Sequence, residues 1–207
     1  GLVIAGGVMS WIVVTDGIRD ISSSLINSLV PVYLEGIANM NAQQIGLLTS
    51  IMGIAMMITS YPAGHLADKR GERLAIALGF VLQSIASFIF IKAGSFYGYA
   101  LTYFLLGMGF SLMSPAYQSL LSKALPQRLR GTGFGLVHSG LGLFSLPAPA
   151  IGAKLYEKVS PTTPFWISFG ASLLAIFPVV LKFNLTEKDQ EQIEKAEAKV
   201  EAAGEEE

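Results

Sequence analysis

No cysteine occurs among the 207 residues, which excludes a disulfide scaffold, a thiolate metal site and a cysteine nucleophile. Histidine is nearly absent as well: His65 and His138 alone cannot build a multi-histidine zinc site. Charge is scarce. Asp, Glu, Lys and Arg make up 14% of the chain, where soluble domains carry about 25%. Hydrophobic residues make up 52%. The acids are also unevenly placed. Six acids and eleven bases precede Thr186, a net +5, while nine acids and three lysines follow it, a net −6. This balance speaks against a soluble enzyme, a nucleic-acid binder and a disordered chain. It fits an all-α polytopic membrane protein.

Reading the chain at about 20 apolar residues per span gives six candidates, at 3–30, 43–66, 74–93, 97–122, 131–156 and 163–183. Turn chemistry separates them: Pro31 and Asn39-Met-Asn41, Lys69-Arg-Gly71, Gly94-Ser95, Pro126-Gln-Arg128, and Ser160-Pro-Thr-Thr-Pro164. The runs lack period-2 alternation and are too long for the roughly 10-residue strands of a barrel. Lys69, Arg70, Arg73, Lys123, Arg128, Arg130 and Lys182 fall on one side of this arrangement, and only Lys92, Lys154 and Lys158 on the other. Cytoplasmic loops are the basic ones, so both ends are expected to be cytoplasmic, in a plasma (inner) membrane. The chain opens on Gly1 and an apolar run with no basic leader. No cleavable signal peptide is therefore expected, and Gly1 should lie just before or inside a span. Two units follow: a six-helix transmembrane part, 1–183, and an acidic cytoplasmic tail, 184–207. The tail is rich in Glu, Lys and Ala and reads as a solvated end rather than a docking segment.

Between spans two and three, on what reads as a short cytoplasmic loop, stands Gly64-His-Leu-Ala-Asp68-Lys69-Arg-Gly71-Glu-Arg73. This stretch resembles the signature of the major facilitator superfamily, Gly-x-x-x-Asp-(Arg/Lys)-x-Gly-x-(Arg/Lys), at Gly64, Asp68, Lys69, Gly71 and Arg73. A second echo is Arg130-Gly131-x-x-Phe134-Gly135 at the start of span five. The resemblance covers residues 3–183. It implies that the loop motif latches one conformation by bridging helices across the cytoplasmic side. Elementary chemistry is compatible with that role. Gly64 permits close helix approach, Gly71 suits a backbone turn where a Cβ would clash, and Asp68 can accept hydrogen bonds from a helix N-terminus.

Transporters of that family have two six-span halves, so the resemblance implies a partner: the other half, joined covalently or supplied by dimerisation. Span four (Leu101–Leu121) lacks the arginine common in N-terminal halves. Span five reads Leu-Phe-Ser-Leu-Pro147-Ala-Pro149-Ala-Ile between Gly142 and Gly152, related to the Gly-Pro-rich antiporter signature but not matching it. The C-terminal half is the expected one; an N-terminal half followed by a central linker stays open.

Span one is the most informative helix. Asp16, Arg19, Asp20, Ser23, Ser24 and Asn27 fall within an arc of about 140° at 100° per residue. A charge at such depth costs ~2.5–3.5 kcal/mol on insertion scales. The stripe should therefore face water or compensate itself. Its functional reading is a substrate or proton pathway, with Arg19 anchoring an anionic or hydroxylated solute and Asp16 or Asp20 carrying a proton. Its structural reading is a self-neutralising Asp–Arg–Asp cluster. Two acids against one base leave a charge over, which favours function.

Gln83, Ser84 and Ser87 read as glue between helices, and Gly131, Gly135 and Ser139 as a close-packing surface. Pro115, just ahead of Tyr117, is a candidate kink. The leading function is secondary transport of a small solute by alternating access, with proton coupling possible. The expected partners are the other half, membrane lipids, the solute and protons, with no cofactor, metal or nucleic acid. The alternatives are a non-transporting scaffold or receptor and a membrane-embedded lipid-modifying enzyme.

Overall fold

Several helix ends in this chain fall at glycine or proline, while Pro62, Pro115 and Pro178 stand inside uninterrupted helices. The computed structural model describes residues 8–125 and 130–183. Its regular elements are helices: α1 Val8–Asn27, α2 Leu29–Gly36, α3 Ala42–Arg70, α4 Glu72–Lys92, α5 Phe96–Lys123, α6 Arg130–Ser145, α7 Ala148–Lys158 and α8 Thr163–Lys182. The Pro126–Arg128 break and the acidic segment 184–207 lie outside the described residues. Asn41 opens α3 with a reciprocal cap: its side chain accepts from the Gln44 amide at 2.9 Å, and Gln44 accepts from the Asn41 amide at 3.0 Å.

Five stretches are long and apolar enough to cross a membrane, namely Ala42–Arg70, Glu72–Lys92, Phe96–Lys123, Arg130–Lys158 and Thr163–Lys182. They correspond to the second through sixth expected spans. Large apolar side chains remain exposed around them, among them Ile54, Met57, Leu143, Phe144, Leu174 and Phe177. In water such a surface would aggregate; in a bilayer it is the solvated surface. The protein is an integral membrane protein. The first expected span is not among the five. Asp16, Arg19 and Asp20 place three charges within the 20 residues of α1.

Three sequence expectations need correction. Span one, read as a single helix to residue 30, breaks at Ser28 and continues as α2 to Gly36. Pro31 has no amide to offer the carbonyl of Asn27, and its ring crowds that carbonyl, so the helix parts just ahead of it. The fifth span is likewise interrupted. Leu146 and Pro147 separate α6 from α7, because Pro147 and Pro149 remove two i→i−4 donors within three residues. The glycine-containing motif is also less of a loop than expected. Gly64 through Arg70 continue α3, and Gly71 alone connects to α4. No residue between His65 and Arg70 disfavours a helix strongly enough to stop it. Gly71, at φ +88° and ψ 152°, adopts a backbone that L side chains avoid.

α5 packs against α3 and α4, α4 against α8, and α1 against α6, α7 and α8. Lipid tails are as apolar as leucine, so these contacts depend on close approach and dispersion rather than on expulsion of water. The close approaches are made at glycines other than Gly131 and Gly135, where a Cβ would meet nothing within 4 Å among the described residues. At Gly107 a Cβ would lie 2.5 Å from the Met52 carbonyl oxygen, and at Gly152 it would lie 2.1 Å from that of Leu25. Two buried clusters close the bundle at its ends. Ile12, Ile76, Phe80, Tyr117, Val179 and Phe183 belong to one; Leu29, Tyr33, Leu48, Phe90, Tyr99 and Phe165 belong to the other. Ser84, expected to join helices, instead donates to Phe80 O of its own helix at 2.8 Å.

A Gly152→Val variant should lose about 1–3 kcal/mol or more, because a backbone carbonyl cannot rotate aside as a side chain would. Gly135→Ala should be silent. Thermal unfolding of both variants in the same detergent checks the contrast.

Candidate substrate cavity

Between the two clusters lies a cavity of about 480 Å³. α1 and α2 supply Arg19, Asp20, Ser23, Ile26, Asn27 and Val30; α4 supplies Gln83, Ser87 and Phe90. α5 supplies Thr102, Tyr103, Leu106, Phe110 and Met113, with Met52 of α3 and Phe165 of α8 completing the wall. One end is therefore charged and the remaining lining is mostly aromatic and aliphatic, with amide and hydroxyl groups between. Such a lining suits a small molecule that is apolar over most of its length and polar at one end.

The stripe on α1 divides at its charged end. Arg19, Asp20, Ser23 and Asn27 reach the cavity, while Asp16 is buried beside it. Asp16 and Arg19 form an i,i+3 ion pair, Oδ1 to Nη2 at 2.6 Å. That contact lacks the alignment of a hydrogen bond, so Asp16 Oδ1 has no hydrogen-bond partner among the described residues. Arg19 also stands over the Tyr117 ring, 5.3 Å from its centroid, a cation–π arrangement. The Tyr117 hydroxyl is itself buried and without a hydrogen-bond partner among the described residues. Asp20 is held from another direction: Ser145 Oγ donates to its Oδ2 at 2.5 Å. Ser145 is the last residue of α6, at the interruption of the fifth span. The cluster thus joins α1 to α5 and to the α6–α7 break.

Sequence reasoning missed several lining residues. Gln83 and Ser87, expected to glue helices, face the cavity instead. The aromatic wall of Phe90, Tyr103, Phe110 and Phe165 carries no local signal, since aromatic residues in a membrane helix usually face lipid or core. Ser145 could have been suspected only from its place ahead of Pro147. His138 is exposed and stacks on Phe134 at 6.3 Å; it is not among the cavity residues.

The signature residues sit at the opposite end of α3 from the capping box. Asp68 and Lys69 are exposed, Gly64 and Arg73 are half-buried, and a Cβ at Gly64 would meet nothing within 4 Å among the described residues. Asp68 makes no hydrogen bond or ion pair among the described residues. What ties this corner together is Glu72, which accepts from Ser119 Oγ at 2.9 Å and pairs with Lys123, fastening α4 to the last turn of α5.

Comparison with known proteins identifies the architecture. The profile of the Major Facilitator Superfamily matches residues 14–205. The chain belongs to the Major Facilitator Superfamily. It is 30% identical over 158 residues to the quinolone resistance protein NorA of Staphylococcus aureus (strain MRSA252), covering 76% of this chain and 40% of that protein. It is 25% identical over 171 residues to YhjO of Bacillus subtilis (strain 168), an uncharacterised transporter of the same type, covering 82% and 42% respectively. A crystal structure of the peptide transporter POT in complex with sulfate superposes with a TM-score of 0.70 at 18% identity, over 94% of this chain and 43% of that one. The last likeness shows the fold alone. The chain spans about two fifths of the length of these relatives. The superfamily and its matched members are transporters, not enzymes, which removes the lipid-modifying alternative.

Two measurements check the site. Arg19→Ala leaves Asp16 buried without its cation and should cost about 3 kcal/mol in detergent unfolding, with Asp16→Asn in the same chain restoring much of the loss. The absence of cysteine gives a clean background for labelling. Ser23→Cys and Asn27→Cys should react with a water-soluble thiol reagent in membranes, and Val14→Cys, on the far side of α1, should not.

Proposed function

We propose that this chain forms one six-span half of a secondary transporter that moves a small amphipathic organic solute by alternating access. The cavity carries the reading: two charged residues, Arg19 and Asp20, at one end of a largely apolar space with an aromatic wall. In this proposal α1 and α2 together are the first span, its charges tolerated because they face the cavity and one another. The other six-span half supplies the opposite wall. Rocking of the halves then exposes the site to each side in turn. The C-terminal position remains the preferred one for this half.

The name of the quinolone resistance relative fits the chemistry of the lining. A quinolone is a flat aromatic carboxylic acid: its ring system suits Phe90, Phe110 and Phe165, and its carboxylate suits Arg19. Asp16, Asp20 and the unpartnered Tyr117 hydroxyl are the groups through which protons would couple to transport, since the cluster holds two acids against one base. With the basic loops inside, both ends of the chain face the cytoplasm. The Gly64, Asp68, Lys69, Gly71 and Arg73 motif acts in this proposal as a latch toward the other half, for which Asp68 has no rival partner among the described residues.

Retention of a fluorescent quinolone by cells expressing the complete protein provides the test. Expression should lower retention at least severalfold, Arg19→Ala and Asp20→Asn should abolish that difference, and collapse of the proton gradient should do the same. Unchanged export by both variants would remove the cavity from the transport path.

A further inference from the structure

Where α3 hands over to α4, a second cavity of about 580 Å³ opens on the basic side of the molecule. Arg70, Arg73 and Lys123 provide its charge, and Leu74, Val180 and Phe183 its apolar floor. Glu72 neutralises Lys123. Arg70 and Arg73 form no ion pair among the described residues, so two guanidinium groups stand beside exposed Leu74 and Val180. This is the level at which the apolar stretches of α4 and α8 end, hence the level of the lipid headgroups. Gly71, which connects the two helices, also lines the cavity.

We infer that this cavity holds one anionic phospholipid, its phosphodiester against Arg70 and Arg73 and its acyl chains along Leu74 and Val180. Guanidinium groups match phosphate oxygens in pairs, and basic pockets between helix ends on the cytoplasmic side suit anionic headgroups. A free anion would use the cations but leave the apolar floor bare. The acidic segment 187–207 has the charge but only Ile193 and Val200 as large apolar residues, so it too matches the floor poorly. The inference depends on α4 and α8 crossing the bilayer and not on transport, so failure of quinolone export leaves it standing.

Native mass spectrometry of the full chain in neutral detergent, titrated with phosphatidylglycerol and with phosphatidylcholine, tests it. The chain should prefer phosphatidylglycerol, and Arg70→Gln with Arg73→Gln should lower that preference roughly tenfold. Val180→Trp, which fills the floor without changing charge, should lower phosphatidylglycerol binding as well, and it decides the matter if the double arginine variant does not fold. Lys154→Gln with Lys158→Gln, an equal charge loss on the other side, should leave the preference intact. The inference is overturned if both pocket variants keep the preference. It is also overturned if glycerol phosphate competes as strongly as the lipid, which would mark a free-anion site. Binding that appears only after removal of residues 187–207 would assign the cavity to the acidic segment instead.

Discussion

Charge buried in an apolar helix bundle must be compensated where it stands, and the arrangement of this bundle follows from how α1 meets that demand. Asp16 and Arg19 pair along their own helix, so part of the compensation is available before α1 packs at all. The rest comes from neighbours. Tyr117 of α5 presents its ring to Arg19, and Ser145 at the end of α6 donates to Asp20. Meeting these partners leaves α1 one rotation about its axis. Trp11, Val14 and Ile21 then fall on the exposed side, and Ser23 and Asn27 follow the charges toward the cavity.

The cavity persists because the bundle is closed at its ends rather than at its middle. At one end Tyr33, Phe90 and Phe165 form a mutual aromatic knot, with centroids 4.7 to 5.3 Å apart. At the other, Tyr117 meets Phe80 and Phe183 edge to face. Between them the lining alternates residues too large to collapse together with hydroxyls and amides that prefer water. Glycines set the tightest helix contacts, at Gly107 against α3 and at Gly152 against α1, so backbone carbonyls define the spacing. The helix interruption at Ser28 adjoins this space through Asn27 and Val30. The interruption at Leu146–Pro147 is tied to the charged cluster through the hydrogen bond from Ser145 to Asp20.

Much of this was legible in the residues because membrane helices are constrained locally. Each span must satisfy its own backbone, so run length and breakers locate it. The second, third, fourth and sixth spans were located in this way to within a few residues. The Gly64–Arg73 signature by itself points to the family that the comparison over residues 14–205 shows. The breaks in the first and fifth spans are not legible, because an apolar run does not report whether a proline bends a helix or breaks it. The stripe on α1 was legible because polar residues at helical spacing in an apolar run have few places to go.

Sequence alone determined the class, four of the six helical segments, the basic side and the polar side of α1, since each depends on neighbours within about one helical turn or on a count of charges. Tertiary structure alone decided that Asp16 withdraws from the cavity while Asp20 lines it, that Gln83 and Ser87 face the cavity, and that four aromatic residues from α4, α5 and α8 share one wall. Those outcomes depend on how far each helix turns and tilts against the next. That is set by contacts between residues remote in the chain, such as Gly107 with Met52 and Gly152 with Leu25, whose pairing no local pattern encodes.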